Sequence, residues 1–393
     1  MPTGRGWAAL GVAAALLVLW VGFGEIELMT TAVFLVAAVI VGTAFVRLAR
    51  PTVTVARRLY PAQVHAGDSV TVEVEMLASR RLRNLFVEDT VHGLGVARFA
   101  AATAMPSHPV VARYEVHCRA RGVYAVGPAE VAIADPFGLS ERRAHAGGAD
   151  RLTVYPRVER LAGLPAVRGL DPAVQSTRPT FAAHGGEDFF TLREYQAGDD
   201  LRKVHWPSSA KRDSLMIKQL EIPWQARALV LLDVRAERYL IPESFEQAVR
   251  GAASTVSHLY QGGFSPELWT FERAPGLRSG NRFQQAMDTL ATVQPVPHLD
   301  LRRTVARLRR QGVGGGALVL VTGIPDEGAL AAFRVLAKDF ARTIVLLVAE
   351  RAGDTGASFR RAGAVTVVTR PDGSWAPGWR TAMELSWSTA SAG

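Results

Sequence analysis

The chain has 393 residues, 48% of them hydrophobic and 21% charged, with 45 basic and 36 acidic residues. This composition excludes a disordered chain, and the length predicts two or three domains. The only cysteine, Cys118, excludes a disulfide framework within this chain and a zinc site built on cysteines. A formal net charge of +9 would suit nucleic acid, but the arginines are scattered rather than clustered, so we expect no nucleic-acid partner.

Two long apolar runs without charged residues lie near the start of the sequence, at about 6–24 and 28–46. At about 1.5 Å per residue in a helix, each run would span close to the ~30 Å hydrocarbon core of a bilayer. Only a Glu-Ile-Glu tripeptide separates the runs, so the sequence predicts a transmembrane helical hairpin over 1–50. The alternative is a cleaved signal peptide followed by a buried helix. The single arginine before the first run and the missing Ala-x-Ala site disfavour it.

Basic residues flank the predicted hairpin at both of its chain ends. Arg5 precedes the first run, and Arg47, Arg50, Arg57 and Arg58 follow the second, whereas the turn between the runs is acidic. Since the cytoplasmic ends of membrane helices carry an excess of Lys and Arg, this pattern places both ends in the cytoplasm. We therefore expect a multi-pass protein of the cell (inner or plasma) membrane whose soluble domains face the cytoplasm.

The pattern changes at about residue 51 to short segments in which apolar and polar residues alternate. The segment 70–76, VTVEVEM, alternates as a half-buried strand does, and turn sequences such as HAGD and DPFG separate the strand candidates. Several short strands with turns between them predict an all-β, antiparallel, sandwich-like domain over 51–156. Cys118 lies in one of these strands, and we interpret it as a small buried hydrophobe.

Strands and helices alternate in the last part of the chain, 226–393. The apolar run 228–233 and later runs of the same kind are typical of buried parallel strands, with helical periodicity between them. This order predicts an open, mostly parallel sheet in which ligands bind beyond the carboxyl ends of the strands. Asp233 lies at one such end, and the segment 322–326, from Thr322 to Asp326, lies at another. The two aspartates could hold Mg²⁺, which prefers oxygen ligands, but we favour the interpretation that they are polar residues at loop starts.

No motif of a cofactor-dependent enzyme or of a hydrolase occurs in the sequence. The glycines at 312–316 lack the Gly-Lys-Ser/Thr of a phosphate loop. No G-x-S-x-G elbow, H-E-x-x-H pair or G-x-G-x-x-G fingerprint is present. We therefore expect no cofactor and no metal, identify no small-molecule substrate, and predict that the protein is not an enzyme.

A dense segment of charged, aromatic and glycine residues lies in the predicted linker, 157–225, between the two domains. Ion pairs such as Arg193 with Asp200, or Arg202 with Glu194, would brace a long loop on the neighbouring sheet. A structural brace and a partner-binding site are both open interpretations of such a segment. The candidate partner-binding residues are Glu187, Phe189, Arg193, Glu194, Tyr195, Gly198, Asp199, Asp200, Arg202 and Trp206.

At these residues the chain resembles the bacterial family called domain of unknown function fifty-eight. That family has a segment in which the pieces G-x-E-F, L-R-E-Y-x-x-G-D-D-x-R, W and S-A-R follow one another. Three further segments of this chain, at 121–124, 135–139 and 154–156, also resemble sequences of the family. The resemblance implies two membrane helices, a β-rich domain, the motif, and a von Willebrand factor A-like α/β domain of the Rossmann-type open-sheet class. The matching positions are Gly186, Glu187, Phe189, 192–195, 198–200, Arg202, Trp206, 209–211 and Leu215.

The resemblance also bears on partners and on metal binding. Members of the family are often encoded beside MoxR-type AAA+ ATPases, and the family is thought to work with them in assembly or chaperone-like tasks. The von Willebrand factor A fold commonly binds a metal through D-x-S-x-S, together with Thr and Asp from later loops. This chain has Arg235 and Glu237 in place of both serines after Asp233, with Asp326 in a later loop. Because the guanidinium would supply the positive charge itself, we expect no metal at these degenerate positions.

Three functions are compatible with these observations. The first, which we favour, is a non-enzymatic, membrane-anchored adaptor that docks a protein partner, an AAA+ ATPase of the MoxR type. The second is a hydrolase or transferase acting on an envelope precursor, with Asp199, Asp200 and His205 as an acid–base group. The third is a metal-dependent adhesion-type binding protein, which Arg235 and Glu237 disfavour.

Overall fold

The computed structural model describes most of the chain and divides it into two compact units. The first comprises Met1–Arg157 with Met287–Thr292, and the second comprises Val158–Ala286 with Val293–Gly393. The described residues are 1–48, 53–79, 81–106, 108–165, 190–194, 206, 209–210, 215–220, 227–270, 281–297, 299, 301–310, 314, 316–350 and 353–390.

Two apolar helices, α1 (Gly4–Phe23) and α2 (Ile26–Leu48), begin the first unit, and both are long and apolar enough to cross a membrane. The hydroxyl of Thr3 caps α1 by accepting a hydrogen bond from the backbone N–H of Gly6 at 3.2 Å. Gly24 ends the helix in a left-handed conformation with φ of 72°, which costs a glycine little. The prediction of two N-terminal apolar helices is confirmed, with bounds within about two residues of those expected.

The rest of the first unit is β-rich, as the alternating pattern predicted. The strand around 70–76 buries every second side chain, and one hydrophobic core draws residues from both sheets. The sheets have the strand orders β1-β3-β6 and β2-β10-β7-β4-β8-β9, with β5 paired to β4. The strands are β1 (Val53–Tyr60), β2 (Val64–His65), β3 (Ser69–Ala78), β4 (Leu82–Val91), β5 (Gly95–Ala104), β6 (Val110–His117), β7 (Gly122–Val126), β8 (Ala129–Ala134), β9 (Glu141–Ala146) and β10 (Asp150–Tyr155).

Two features of this β-rich region differ from the sequence-based expectation. Strand β2 pairs with β10 in parallel, whereas a fully antiparallel domain was predicted. Strand β5, GVARFAAATA, was not predicted, because its many alanines and its glycine do not produce a strong alternation of bulky apolar and polar side chains. Strand β5 pairs with β4 along nearly its whole length.

A buried ion pair joins the two sheets. The guanidinium of Arg57 on β1 donates to both carboxylate oxygens of Asp89 on β4, at 2.9 and 2.8 Å, and both side chains are fully buried. The hydroxyl of Tyr114 on β6 donates to the same carboxylate at 2.8 Å. Arg57 therefore belongs to the β core and does not present its charge to a membrane surface, which corrects its use as a flanking residue of the hairpin. Arg5, Arg47 and Arg58 are exposed.

The second unit contains a parallel sheet with the strand order β14-β13-β15-β16-β17. Continuous apolar runs form the three central strands β13, β15 and β16, and nearly all of their side chains are buried, as strands covered on both faces require. The strands are β13 (Arg227–Leu232), β14 (Ser265–Thr270), β15 (Ala317–Thr322), β16 (Arg342–Val348) and β17 (Val365–Thr369). From residue 227 onward, the described helices are α3 (Pro242–Gln261), α4 (Arg282–Thr292), α5 (Leu301–Arg310), α6 (Glu327–Ala337), α7 (Gly353–Arg361) and α8 (Ala376–Ala390).

Two elements of the second unit depart from the predicted pattern. Helix α7, GDTGASFRR, was not predicted, because two glycines and few apolar residues leave little helical periodicity. The dense polar segment was interpreted as a long loop, yet β11 (Phe190–Glu194) and β12 (Met216–Leu220) form an antiparallel pair at its two ends.

Candidate functional site

The candidate site lies where the order of the parallel sheet reverses. Strand β13 is followed along the chain by β14 on one side of it and then by β15 on its other side. The connections therefore leave the sheet in opposite directions beyond the carboxyl ends of β13 and β15. In open α/β sheets this is the place where ligands bind. Asp233 follows β13 directly, and its backbone N–H donates to Val321 of β15 at 2.9 Å.

A guanidinium lies between two carboxylates at this point. Arg235 donates from Nε to Oδ1 of Asp233 at 3.0 Å and from Nη2 to Oδ2 of Asp233 at 2.9 Å. Its Nη1 donates to Oδ2 of Asp326 at 2.9 Å, and Nη2 lies 3.3 Å from the other oxygen of that carboxylate. The side chain of Arg235 is 3% exposed, that of Asp233 is fully buried and that of Asp326 is 34% exposed. We call Asp233, Arg235 and Asp326 the strand-end cluster. In it, one guanidinium makes a bidentate ion pair with each of two carboxylates.

Local backbone geometry holds the three members of the strand-end cluster in place. Oδ1 of Asp233 accepts the backbone N–H of Arg235 at 3.1 Å, and Oδ2 accepts the hydroxyl of Thr322 at 3.0 Å. Asp326 caps α6, since its Oδ1 accepts the backbone N–H of Ala329 at 2.8 Å. Each carboxylate therefore has a second partner that fixes its orientation toward the guanidinium.

The charges of the strand-end cluster stabilise one another. Burial by itself would lower the pKa of Arg235, but its hydrogen bonds and charge interactions with Asp233 and Asp326 outweigh burial and raise that pKa. Burial raises the pKa of Asp326, whereas Arg235 and the helix-cap hydrogen bond lower it by more. Burial, followed by the charge of Asp233, raises the pKa of Tyr239, whose hydroxyl donates to the backbone carbonyl of Asp233.

The donor set does not fit a divalent cation. Both oxygens of Asp233 already accept hydrogen bonds from Arg235, and a guanidinium between the two carboxylates repels a second cation. Glu237 lies at the rim, where Oε1 accepts from Arg238 at 2.9 Å and lies 3.9 Å from Nη1 of Arg235. In the part of the chain that the structure describes, no three His, Cys, Asp or Glu side chains converge as metal ligands would.

A groove of about 1070 Å³ lies beside the strand-end cluster, along α5 and α6. Arg235, Asp326 and Glu327 contribute to its lining, and the rest is mostly aliphatic with two further arginines. This lining suits a chain segment with apolar and acidic side chains better than a small polar molecule. The other side chains that carry this argument are Leu299, Val305, Arg309, Leu330, Arg334 and Val335.

The structure brings together three of the sequence-predicted site residues, Asp233, Arg235 and Asp326, and places Glu237 at their edge. Arg193 and Glu194 lie on β11, and Trp206 is 67% exposed. The remaining candidates lie outside the described residues. These are Glu187, Phe189, Tyr195, Gly198, Asp199, Asp200, Arg202 and His205.

The sequence placed Thr322 at the second strand end together with Asp326, but it did not identify Arg238 and Tyr239 as members of this site. Arg238 and Tyr239 lie only a few residues beyond Asp233, in and after the 3₁₀ turn Ala236–Arg238, so proximity in sequence was an available signal. No signal in the sequence indicated the groove along α5 and α6, because the groove depends on how the two helices pack.

Comparison with known proteins shows that the region containing this site is similar to a family of unknown function. Residues 191–367 match the family described as "Protein of unknown function DUF58". The DUF58 match contains β13 to β16, the beginning of β17 and all members of the strand-end cluster. A relative from Bacillus subtilis (strain 168), "Uncharacterized protein YeaD", is 26% identical over 288 residues, covering 70% of this chain and 71% of that protein.

Solved structures add little to the DUF58 match. The CARDB domain of PF1109 from Pyrococcus furiosus is 15% identical and covers 26% of this chain and 94% of its own, with a TM-score of 0.20. Spo0M, a sporulation control protein from Bacillus subtilis, is 13% identical and covers 26% of this chain and 49% of its own, with a TM-score of 0.17. Such TM-scores support no fold assignment.

Proposed function

We propose that the protein is a membrane-anchored, non-enzymatic scaffold that docks a protein partner on its cytoplasmic side. The partner class is a MoxR-type AAA+ ATPase, and the process is assembly or a chaperone-like task. The observation that carries the proposal is the strand-end cluster, in which Arg235 satisfies both carboxylates at the ligand-binding end of the sheet, next to an open groove.

The chemistry of this end of the sheet favours docking over catalysis. A general acid or base needs a group that can exchange a proton near neutral pH. Here the pKa of Arg235 is raised and that of Asp326 is lowered, so both stay charged at neutral pH. The buried guanidinium and its two carboxylates fix the geometry at this part of the groove, where Asp326 stays partly exposed, and a rigid groove suits specific recognition of a protein segment.

The same observations bear on the von Willebrand factor A-like interpretation, which we retain as part of the proposal. A parallel sheet with an acidic residue directly after β13 and a Thr and an Asp at and beyond the end of β15 supports that interpretation. Arg235 at the centre supports docking without a metal. It disfavours the alternative of a metal-dependent adhesion-type protein.

The docking proposal is tested by charge reversal in the groove. Arg334 is exposed on α6 and lines the groove, whereas Arg360 is an equally exposed arginine on α7 that does not line it. We expect Arg334→Glu to weaken capture of the purified MoxR-type ATPase from the same bacterium by about tenfold or more, the scale of one lost charge pair at an interface. Arg360→Glu should leave capture unchanged.

Full-length protein in detergent is compared by pull-down, with the melting temperature measured for each variant. Because both arginines are exposed, neither reversal should change the melting temperature by more than a few degrees. Equal capture by both variants, or equal loss in both, would contradict a docking role for the groove.

A further inference from the structure

The loop between β8 and β9, residues 135–140 (the DPFG loop), is held in shape by a buried aspartate. Oδ1 of Asp135 accepts the backbone N–H of Phe137 at 2.8 Å, and Oδ2 accepts that of Ser140. The backbone N–H of Asp135 donates to the carbonyl of Ser140 at 3.0 Å. These bonds close the loop on itself, so the position of its tip is fixed. Phe137 lies at that tip and is 74% exposed.

The start of α1 is bonded to the DPFG loop. The backbone N–H of Thr3 donates to the carbonyl of Leu139 at 2.9 Å, and its hydroxyl donates to the carbonyl of Gly138 at 2.6 Å. The backbone of Gly6 approaches Leu139 so closely that a Cβ atom there would clash with its carbonyl oxygen. The loop therefore lies directly against the first turn of an apolar helix.

The end of α2 contacts the DPFG loop as well. The hydroxyls of Thr43 and Ser140 are 2.8 Å apart, and a Cβ atom on Gly42 would lie only 3.1 Å from Cγ of Asp135. Since α2 continues to Leu48, at about 1.5 Å per residue these contacts lie roughly 8 Å inside the end of the helix. The loop thus reaches the level at which the apolar part of the hairpin begins.

We propose that the DPFG loop is a third membrane contact, in which the ring of Phe137 inserts into the boundary between headgroups and acyl chains. This inference rests on the proposed membrane anchoring, because it needs the hairpin to span the bilayer. Other exposed residues at the same level support a lipid surface as the partner. Trp7 lies in the first helical turns of α1, where an interfacial aromatic residue is expected, and Arg5 and Arg47 are placed to meet lipid phosphates.

The insertion adds a direct contact with lipid to the bonds that already join the DPFG loop to α1 and α2. An apolar ring without polar atoms gains by leaving water at the acyl boundary, and its rigid loop loses little entropy on insertion. Because the DPFG loop is also bonded to the hairpin, the lipid contact helps to hold the β-rich region at one tilt to the membrane.

The test measures the depth of single nitroxide labels in full-length protein in nanodiscs of phosphatidylethanolamine and phosphatidylglycerol. A Cys118→Ala background removes the only native cysteine, and a cysteine is placed at Phe137, Leu17 or Val96. Leu17 is a mid-helix reference on α1. Val96 on β5 is exposed and pairs with Thr90 of β4. Thr90 lies about 17 Å along β4 from Leu85, which pairs with Ile133 of β8 next to the DPFG loop, so Val96 serves as a reference away from that loop.

Collisions with oxygen and with a water-soluble nickel chelate report the depth. We expect the label at Leu17 to favour oxygen strongly, the label at Val96 to favour nickel, and the label at Phe137 to favour oxygen several-fold more than Val96. A label at Phe137 that matches Val96, while Leu17 reports hydrocarbon, would overturn the insertion and leave the anchor intact. Water-like values at all three positions would overturn the anchor and the insertion together.

Discussion

Arg235 takes the central position of the strand-end cluster, between the carboxylates of Asp233 and Asp326. Its planar fork satisfies two carboxylates at once, which the point charge of a lysine would not do. Its removal leaves the fully buried carboxylate of Asp233 without its counter-charge, whereas Asp326 keeps Arg238 at 3.5 Å. The cost of breaking such a buried pair is about 3–5 kcal/mol.

The first prediction follows from that arrangement. Arg235→Ser should lower the melting temperature markedly, and Mg²⁺ should recover part of the loss, because the freed carboxylates and the Thr322 hydroxyl are oxygen ligands. The melting temperature is measured with Mg²⁺ and with a chelator. Arg309→Ser, which removes the exposed ion pair of Arg309 with Asp339, is the control and should change stability by about 0.5 kcal/mol or less. An equal Mg²⁺ effect on the wild type would contradict the prediction.

At the scale of elements, the segment 158–165 packs on the helices of the second unit. The carboxylate of Glu159 accepts a hydrogen bond from the hydroxyl of Ser374 at 2.7 Å and another from the backbone N–H of Trp375 at 2.8 Å. The carbonyl of Gly163 lies 2.7 Å from Nε2 of His258 on α3 and accepts from the indole of Trp379 on α8 at 3.2 Å. The beginning of the predicted linker is therefore a fixed part of this unit.

His258 makes the attachment of this segment sensitive to pH. Burial lowers its pKa, and the carbonyl of Gly163 only partly offsets this. A base with a lowered pKa in the folded state contributes stability that is fully present above the unfolded value near 6.5. That stability is lost as the pH falls from there through the folded value. Each unit of lowering corresponds to about 1.4 kcal/mol.

We expect the melting temperature of the wild type to fall more between pH 7.5 and 5.5 than that of His258→Gln, which keeps an N–H donor but does not titrate. The contributions of the other titrating groups to the pH dependence of the melting temperature are shared by the two proteins and cancel in the comparison. Parallel pH profiles would show that His258 titrates alike in the folded and unfolded states.

Elements with strong local patterns could be predicted from the sequence, and contacts between distant elements could not. Strand β3 followed from strict alternation, and β13 followed from one apolar run that ends in Asp233. The DPFG turn was also predicted, but its contact with Gly42 was not, because nothing in a local pattern encodes a partner so distant in sequence. For the same reason Arg57 looked like a flanking charge of the hairpin until Asp89 was found beside it.

At the scale of the whole molecule, the topology is the property on which the proposed function depends. A cysteine at Glu25, between the two apolar helices, should react with an impermeant reagent in intact cells, whereas one at Val96 should react only after permeabilisation. Native Cys118 is buried and gives little background. The reverse labelling pattern would place the β-rich region outside and contradict the expectation drawn from the flanking arginines.

The bonds of Thr3 to the DPFG loop also constrain the order of events during synthesis. Thr3 and Gly138 are 135 residues apart, so at about 5–20 residues per second the loop is made roughly 7–27 s after the start of α1. If the hairpin enters the membrane as it is translated, it is in place before the DPFG loop has been made. Until then, the N–H and hydroxyl of Thr3 donate hydrogen bonds to water or to lipid headgroups. The β-rich region completes its attachment only afterwards, on a hairpin that is already in place.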